Sequence, residues 1–264
     1  MPTIKPIVLL ADSQLLFFRN EEGSFLERVR AMLHDDETEI NLSPKAAYLG
    51  ASNGDAPEFY DLFQAAMDSI GLKDRRQIPA QPGDEDLAYL KAADLILLAG
   101  GDTWRGYLAF DKSKIKESLI ERYYGGALLL GVSAGAVQLG MKGWNGDQLF
   151  DTLRLVPFVV DVHDEPSWSN LLKAVPKAGE YARGFGIPSG GGAIYHPDYS
   201  VEPVRHPLTE VSLGEEGGVR QALLFPGETE TVEGLPDAPR PAERENVAAA
   251  DPVSEPDPEA GPVN

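Results

Sequence analysis

Two apolar runs that each end in a glycine-rich turn constrain the fold of this chain more than any other feature. The run 94–99 (Asp-Leu-Ile-Leu-Leu-Ala) is followed by Gly-Gly-Asp at 100–102, and the run 127–130 (Ala-Leu-Leu-Leu) leads into glycine at 131. Continuous apolar runs of this length are typical of strands buried on both faces of a parallel sheet. Both segments are therefore interpreted as central strands that lead into helices.

The rest of the amino-terminal half repeats this alternation. Strands are predicted at 7–11 and 45–50, and helical spacing continues to His34, over 58–70 and from the 100–102 turn through Tyr124. The sequence thus predicts an α/β fold, a three-layer sandwich with a mostly parallel central sheet. Ligands bind beyond the carboxyl ends of such strands, which nominates the 100–102 turn, including Asp102, and Ser133.

Ser133 lies in the pattern G-x-S-x-G at 131–135. This pattern, between a buried strand and a helix, is typical of a nucleophile elbow, where small neighbours permit a tight turn that exposes the serine hydroxyl. By chance it occurs in about one in ten chains of this length. The predicted strand before it and helix after it favour a nucleophile over the alternative, a tight turn with a buried serine.

A serine nucleophile needs a base, and the chain has four histidines. Three of them lie in an acidic helix end or directly before prolines: His34, His196 and His206. His163 instead closes the apolar run 156–162, so it is expected at the end of a strand, in a sheet that also carries the Ser133 turn at its strand ends. His163 is therefore the predicted base; the alternative is a structural histidine.

The third member of a triad is a carboxylate that orients the imidazole, and three aspartates lie between the serine and His163. Asp161 precedes His163 by two positions, so both side chains face the same way on a strand. Asp147 lies in the turn-rich segment 143–147, a loop that can carry a carboxylate over the site. Asp151 is the third candidate, and the pattern alone leaves the choice open.

Composition excludes several classes of protein. The absence of cysteine removes disulfides, thiolate metal sites and cysteine nucleophiles. The scattered histidines indicate no metal site, and the glycines at 190–192 lack the lysine of a phosphate-binding loop, so no cofactor is expected. A net charge of −19 disfavours nucleic acid and anionic membranes. With no apolar run long enough for a membrane helix and no leader segment, we expect a cytoplasmic protein.

Charge and proline content divide the chain in two. Residues 228–264 contain ten acidic and two basic residues and seven of the 21 prolines, a composition that cannot bury a core. We therefore predict one catalytic domain at 1–227 and a disordered acidic tail at 228–264, although a docking segment is the alternative for the tail.

Four segments, in this order, resemble the dipeptidase E and cyanophycinase family of serine peptidases. They are YLGASNGD at 48–55, AGGDTW at 99–104, GVSAGA at 131–136 and LVPFVVDVH at 155–163. The resemblance spans roughly 7–203 and implies the class I glutamine amidotransferase-like fold. Because the elbow carries serine and the chain has no cysteine or synthetase domain, amidotransferase activity is not expected.

The resemblance also implies roles for individual residues. Ser133 matches the family's nucleophile and His163 its base, and Asp147 is the closest match to the acid in the intervening loop. The backbone amides of Gly101 and Ala134 are implied as the oxyanion hole, which suits a glycine turn that faces the elbow.

The family acts on aspartyl dipeptides or on cyanophycin, an aspartate-linked polymer, so a small peptide is the expected partner. Arg105 and Arg183 are candidates for binding a substrate carboxylate. This chain departs from the family at Ser189, where an acidic residue is common, and at 164–166, which replaces an aromatic residue after the histidine. A non-catalytic binding protein and an esterase are the alternative functions, and the oligomeric state is not predicted.

Overall fold

A computed structural model describes residues 3–21, 23–34, 43–214 and 217–232. The strands in these ranges are β1 (Ile7–Leu10), β2 (Arg19–Asn20), β3 (Gly23–Ser24), β4 (Lys45–Leu49), β5 (Asp74–Ile78), β6 (Leu95–Leu98), β7 (Leu128–Val132), β8 (Lys142–Asn145), β9 (Gln148–Asp151), β10 (Val159–Val162), β11 (Arg183–Ile187), β12 (Gly192–Tyr195), β13 (Ser200–Val204), β14 (Leu208–Leu213), β15 (Val219–Leu224) and β16 (Glu230–Thr231).

The helices in the same ranges are α1 (Phe25–Leu33), α2 (Pro57–Ser69), α3 (Asp84–Leu90), α4 (Thr103–Lys112), α5 (Ile115–Tyr124), α6 (Ala134–Leu139) and α7 (Ser169–Ala178). Two short 3₁₀ helices are added at Ser13–Phe17 and Ala51–Asn53. The described helices are all too short or too polar to cross a lipid bilayer.

The central sheet confirms the predicted α/β class. Its order is β16-β13-β12-β1-β7-β6-β4-β5; the five strands from β1 to β5 in this order are parallel, and β12, β13 and β16 extend it in antiparallel pairings. Successive residues of β1 pack into different cores: Ile7 and Leu9 on one face, Val8 and Leu10 on the other. Apolar layers on both faces explain why the parallel strands are continuous apolar runs.

A second, smaller sheet has the order β10-β11-β14-β15, with β10 and β11 parallel. The sequence placed the strand before His163 in the same sheet as the Ser133 turn, and this placement was wrong. Helix α7 packs on the smaller sheet around Trp168 and Leu171, while α6 packs against β10. The contact between α6 and β10 brings the end of β10 toward the central sheet.

The helix predicted from the glycine turn through Tyr124 is two helices, α4 and α5. Ser113 breaks it, with extended backbone at φ −117° and ψ 178°. Its hydroxyl donates to Ala109 O at 2.8 Å and accepts from Ile115 N at 3.3 Å, so one side chain satisfies the end of α4 and the start of α5. Nothing in the apolar spacing indicates this break.

The folded part of the chain continues past the boundary predicted at residue 227. Strand β16 pairs with β13 through Ser200↔Thr231 and Val201↔Glu230, and Val232 is buried. The remainder of the predicted acidic tail, from residue 233, lies outside the described residues.

Asp161 of β10 is a carboxylate in the core, with 2% of its surface exposed. Its Oδ1 accepts from Val162 N at 2.9 Å, while its buried Oδ2 has no partner. Burial disfavours the charged form and raises the pKa of Asp161 to about 7. A carboxyl whose pKa is higher in the folded than in the unfolded state stabilises the fold at low pH, and this contribution is lost as the pH rises through the folded value.

We predict that Asp161→Asn flattens the pH dependence of stability. Between pH 5 and pH 7 the wild-type free energy of unfolding should fall, relative to the variant, by about 1.4 kcal/mol per pH unit at most. Urea unfolding at several pH values measures this difference. A constant difference between the two proteins from pH 5 to pH 8 would show that Asp161 ionises normally.

Candidate active site

Ser133 lies at a strained junction between β7 and α6. Its backbone has φ 51° and ψ −111°, and residues other than glycine rarely adopt a positive φ. Such a residue carries about 1–3 kcal/mol of strain, which the surrounding structure must hold. The Ser133 amide donates to Leu10 O at 2.8 Å, and its carbonyl accepts from Ala136 N at 2.9 Å. The turn thus has the form expected of a nucleophile elbow.

Close packing against β6 explains the second glycine of the motif. A Cβ at Gly135 would lie 2.1 Å from Leu98 O, so no side chain fits there. Helix α6 can therefore begin directly against the central sheet. Ala134 is its first residue, and its amide belongs to the first-turn amides that have no acceptor within a helix.

The glycine turn after β6 faces the elbow. A Cβ placed on Gly100 would lie 3.2 Å from Ser133 Cβ and 3.9 Å from Ser133 Oγ. Gly101 has φ 134°, and a Cβ there would lie 2.4 Å from Ser52 O, so this position requires glycine. The next amide, that of Asp102, donates to Ser52 O at 2.9 Å and holds the turn in place.

His163 follows β10 and lines the same cavity as Ser133. It has φ 63°, and its amide donates to Ile187 O at 3.3 Å, at the end of the β10–β11 pairing. No hydrogen bond joins Ser133 Oγ to His163 within the ranges that the structure describes. Such bonds are often long in sites without substrate. The structure therefore brings the predicted nucleophile and base to one cavity, although they come from different sheets.

The cavity has a volume of about 290 Å³ and a mostly apolar wall. Aromatic and aliphatic side chains dominate it, and two of them on α2, Phe59 and Leu62, are 47% and 43% exposed. Asn53 donates to the Tyr48 hydroxyl at 2.9 Å, and burial raises the pKa of Tyr48 to about 12, so the Tyr48 side chain is uncharged at neutral pH. In the described part of the chain, the cavity lining contains no lysine or arginine.

The three predicted substrate-binding residues lie outside the cavity lining. Asp102 caps α4 by accepting from Arg105 N at 2.8 Å. The exposed Arg105 guanidinium lies over Gly54, next to the cavity-lining Asn53. Arg105 lines a separate surface depression with Ala80 and Lys112, and its role in substrate binding stays a prediction.

Arg183 is not brought to the site. It begins β11, about 13 Å along the strand from the end that meets His163. Its guanidinium is held by Glu210 at 2.6 Å and Glu230 at 2.8 Å, and it also donates to Thr231 O. The sequence could not show this, because all three partners come from strands whose pairing it does not reveal.

None of the three candidate acids contacts His163 in the described structure. Asp147 is exposed in the turn between β8 and β9, and its role stays a prediction. Asp151 accepts from Lys142 Nζ at 2.7 Å. Asp161 is buried and bonded to Val162 N.

The partner of His163 Nδ1 is the Ser189 hydroxyl, at 3.2 Å. Glu165 accepts from Ser189 N at 3.1 Å, and Asp12 of the cavity wall accepts from Gly190 N at 2.6 Å. Sequence reasoning missed Asp12 and Glu165. Asp12 directly follows the first strand, so the rule that selected the 100–102 turn could also have found it.

Metal binding has no support from side-chain clustering. Within residues 3–21, 23–34, 43–214 and 217–232, no group of histidine, aspartate and glutamate side chains could hold a metal ion.

Comparisons with known proteins agree with this geometry. The model of peptidase family S51 matches residues 6–170. A peptidase from an acI-B1 Actinobacterium has a similar structure, with a TM-score of 0.63 and 17% identity over 87% of this chain and 97% of that chain. A candidate peptidase E from Listeria monocytogenes EGD-e gives a TM-score of 0.50 and 18% identity over 84% of this chain and 100% of that chain. These two show a shared fold.

No curated protein sequence matches the chain. The family model covers more than half of the 264 residues and includes the elbow, the glycine turn and the strand that ends at His163. The chain therefore belongs to peptidase family S51, and it is a serine peptidase.

Proposed function

We propose that this peptidase hydrolyses short peptides, with Ser133 as the nucleophile and His163 as its base. The observation that carries the proposal is that both residues line one cavity, next to the turn that contains Gly101. A cavity of about 290 Å³ is at the lower end of the range for small-ligand sites, which supports a short substrate.

In the proposed mechanism His163 takes the proton of the Ser133 hydroxyl, and the serine oxygen attacks the amide carbonyl. The C–N bond then breaks, and the protonated imidazole gives its proton to the leaving amine. Water, deprotonated by the same imidazole, releases the acyl group from the serine. Ser133 and His163 thus return to their starting states.

The amides of Gly101 and Ala134 are the proposed oxyanion hole. The first is on the turn that lies against Ser133, and the second opens α6 directly after it. Two backbone donors aimed at the developing negative charge stabilise a tetrahedral intermediate without reorganisation.

The cavity wall favours an uncharged residue on the acyl side of the scissile bond. Phe59 and Leu62 offer exposed apolar surface that a substrate side chain would cover. The Asp12 carboxylate in the same wall attracts a protonated amino terminus and repels a second carboxylate. We therefore propose small peptides with a free amino terminus and an uncharged first residue.

Aspartyl dipeptides are the second candidate substrate class, and the resemblance to dipeptidase E favours them. Arg105, whose guanidinium lies over Gly54 next to the cavity-lining Asn53, is the proposed partner of their side-chain carboxylate. The cyanophycin polymer belongs to the same class, and its aspartate backbone would have to approach past this arginine.

We predict that Ser133→Ala lowers dipeptide hydrolysis by at least about 10³-fold, because the nucleophile is lost. A serine-directed fluorophosphonate should label wild-type protein at Ser133 and should fail to label Ser133→Ala and His163→Ala, as peptide mass mapping can verify. Ser69→Ala, an exposed helix serine, is the matched control and should label as wild type does. A folded wild-type protein whose Ser133 stays unlabelled would support the non-catalytic alternative.

We predict that dipeptides beginning with leucine or asparagine have kcat/KM values at least about tenfold above the matched peptide beginning with aspartate. The reason is that an unpaired carboxylate is costly to bury in an apolar wall. Kinetics on peptides that differ only in the first residue measure this. A preference for aspartate that disappears in Arg105→Ala would instead establish the aspartyl class, and faster cleavage of esters with no turnover of peptides would indicate an esterase.

A further inference from the structure

The parallel pairing of β10 with β11 places two loops side by side at the edge of the active site. The register Val162↔Ile187 aligns the carboxyl ends of both strands, so the residue after β10 meets the residues after β11. His163 and Ser189 meet there, with 3.2 Å between the imidazole Nδ1 and the serine Oγ. The nitrogen that a triad carboxylate normally orients therefore contacts a neutral hydroxyl.

A carboxylate is hydrogen-bonded to the backbone of the residue that carries this hydroxyl. Glu165 folds back over the loop and accepts from Ser189 N at 3.1 Å. Burial raises the pKa of Glu165, but the hydrogen bonds from its own amide and from Ser189, together with the charge of His163, lower it below its ordinary value. Glu165 is thus ionised at neutral pH.

We propose that Ser189 and Glu165 act together as the positioning residues of His163, so that the chain uses a relayed carboxylate in place of a directly bonded triad acid. This inference rests on the proposed function, since it concerns the base of the same reaction. In this relay His163 Nδ1–H donates to Ser189 Oγ, and the Ser189 hydroxyl turns its proton toward the Glu165 carboxylate. A hydroxyl can accept and donate at once, which this relay requires.

The relay performs both functions of a triad acid, which are to orient the imidazole and to stabilise its cation. With its proton fixed on Nδ1, the neutral imidazole presents Nε2 to the Ser133 hydroxyl as an acceptor. When His163 takes the serine proton, the negative charge of Glu165 stabilises the imidazolium across one hydroxyl. Ser189 keeps its own proton. The proton of the Ser133 hydroxyl moves to His163 and then to the leaving amine.

The loop that carries Ser189 is held in place. Gly190 N donates to Asp12 Oδ2 at 2.6 Å, and Gly191 N donates to Pro188 O at 2.9 Å. Asp12 also accepts from Gln14 N, so the end of β1 anchors this loop to the central sheet that carries Ser133. These hydrogen bonds hold the loop that carries the Ser189 hydroxyl, and the role of a positioning residue requires such a rigid loop.

The other carboxylates between the serine and the histidine are engaged elsewhere or exposed. Asp151 pairs with Lys142, and Asp161 faces the Val162 amide. Asp147 lies on the exposed hairpin turn and shares no hydrogen bond with His163 among the described residues.

The test compares Glu165→Gln, Ser189→Ala and Asp147→Asn by kcat, KM and the pH profile of kcat/KM. We expect Glu165→Gln to lower kcat by about 10²-fold with little change in KM, less than the ~10⁴-fold loss seen when a directly bonded triad carboxylate is replaced. The acidic limb of the kcat/KM profile of Glu165→Gln should move to lower pH, because the lost negative charge no longer stabilises the imidazolium of His163. Glu180→Gln, an exposed glutamate outside the site, is the control.

Rescue separates positioning from structural damage. Ser189→Asp should recover activity relative to Ser189→Ala, even in combination with Glu165→Gln, because it gives Nδ1 a direct carboxylate. Wild-type kcat and pH profile in Glu165→Gln would overturn the relay, as would a loss of kcat in Asp147→Asn alone.

One readout keeps this inference distinct from the proposed function. NMR titration of the His163 imidazole in the Ser133→Ala background measures its pKa without any turnover. A lower His163 pKa after Glu165→Gln supports the relay even if no substrate is found, whereas an unchanged pKa rejects it. Failure of fluorophosphonate labelling in the wild type rejects the peptidase mechanism itself.

Discussion

The strained backbone of Ser133 is the constraint on which the rest of the site depends. A residue at φ 51° and ψ −111° stays in place only if its neighbours hold it, and here β1 holds the Ser133 amide while β6 packs against Gly135 without room for a Cβ. The same packing sets the start of α6 and the position of the glycine turn. Ser133, the start of α6 and the glycine turn are therefore one packed unit.

His163, the proposed base, reaches this unit from a second sheet. Helix α6, which the elbow begins, packs against β10, and β10 ends at His163. Pairing with β11 then adds the Ser189 loop, which Asp12 ties back to the end of β1. Adjacent parallel strands thus position Ser133, while a contact between the two sheets positions His163 and its partners.

Much of the fold, and the turns at Ser133 and Gly101, could be predicted from the local sequence. The strands at β1, β4, β6 and β7 were predicted because they are covered on both faces and so consist of continuous apolar residues. Strand β5, with the sequence DRRQI, is at the sheet edge and has no such run. Ser133 and Gly101 follow from turns that only small residues permit, and these signals need no knowledge of tertiary contacts.

The parts that sequence did not reveal depend on pairing between distant strands. Arg183 looked like a free cation, but Glu210 and Glu230 reach it from β14 and β16. In the sequence, Ser189 indicated only the loss of an acidic residue, and Glu165 was one residue of a loop. The β10–β11 register places Ser189 against His163, and Glu165 binds the Ser189 amide.

We propose that Ser133 attacks a carbonyl whose oxygen is held by the Gly101 and Ala134 amides. The most direct test of this proposal is a crystal structure of the wild-type protein with a short peptide boronic acid, which mimics the tetrahedral intermediate. We predict a covalent bond from Ser133 Oγ to boron, one boronate oxygen that accepts from both amides, and His163 within hydrogen-bond distance of the adduct. A boronate bound elsewhere, or bonded to Ser133 with its oxygens turned away from both amides, would contradict it.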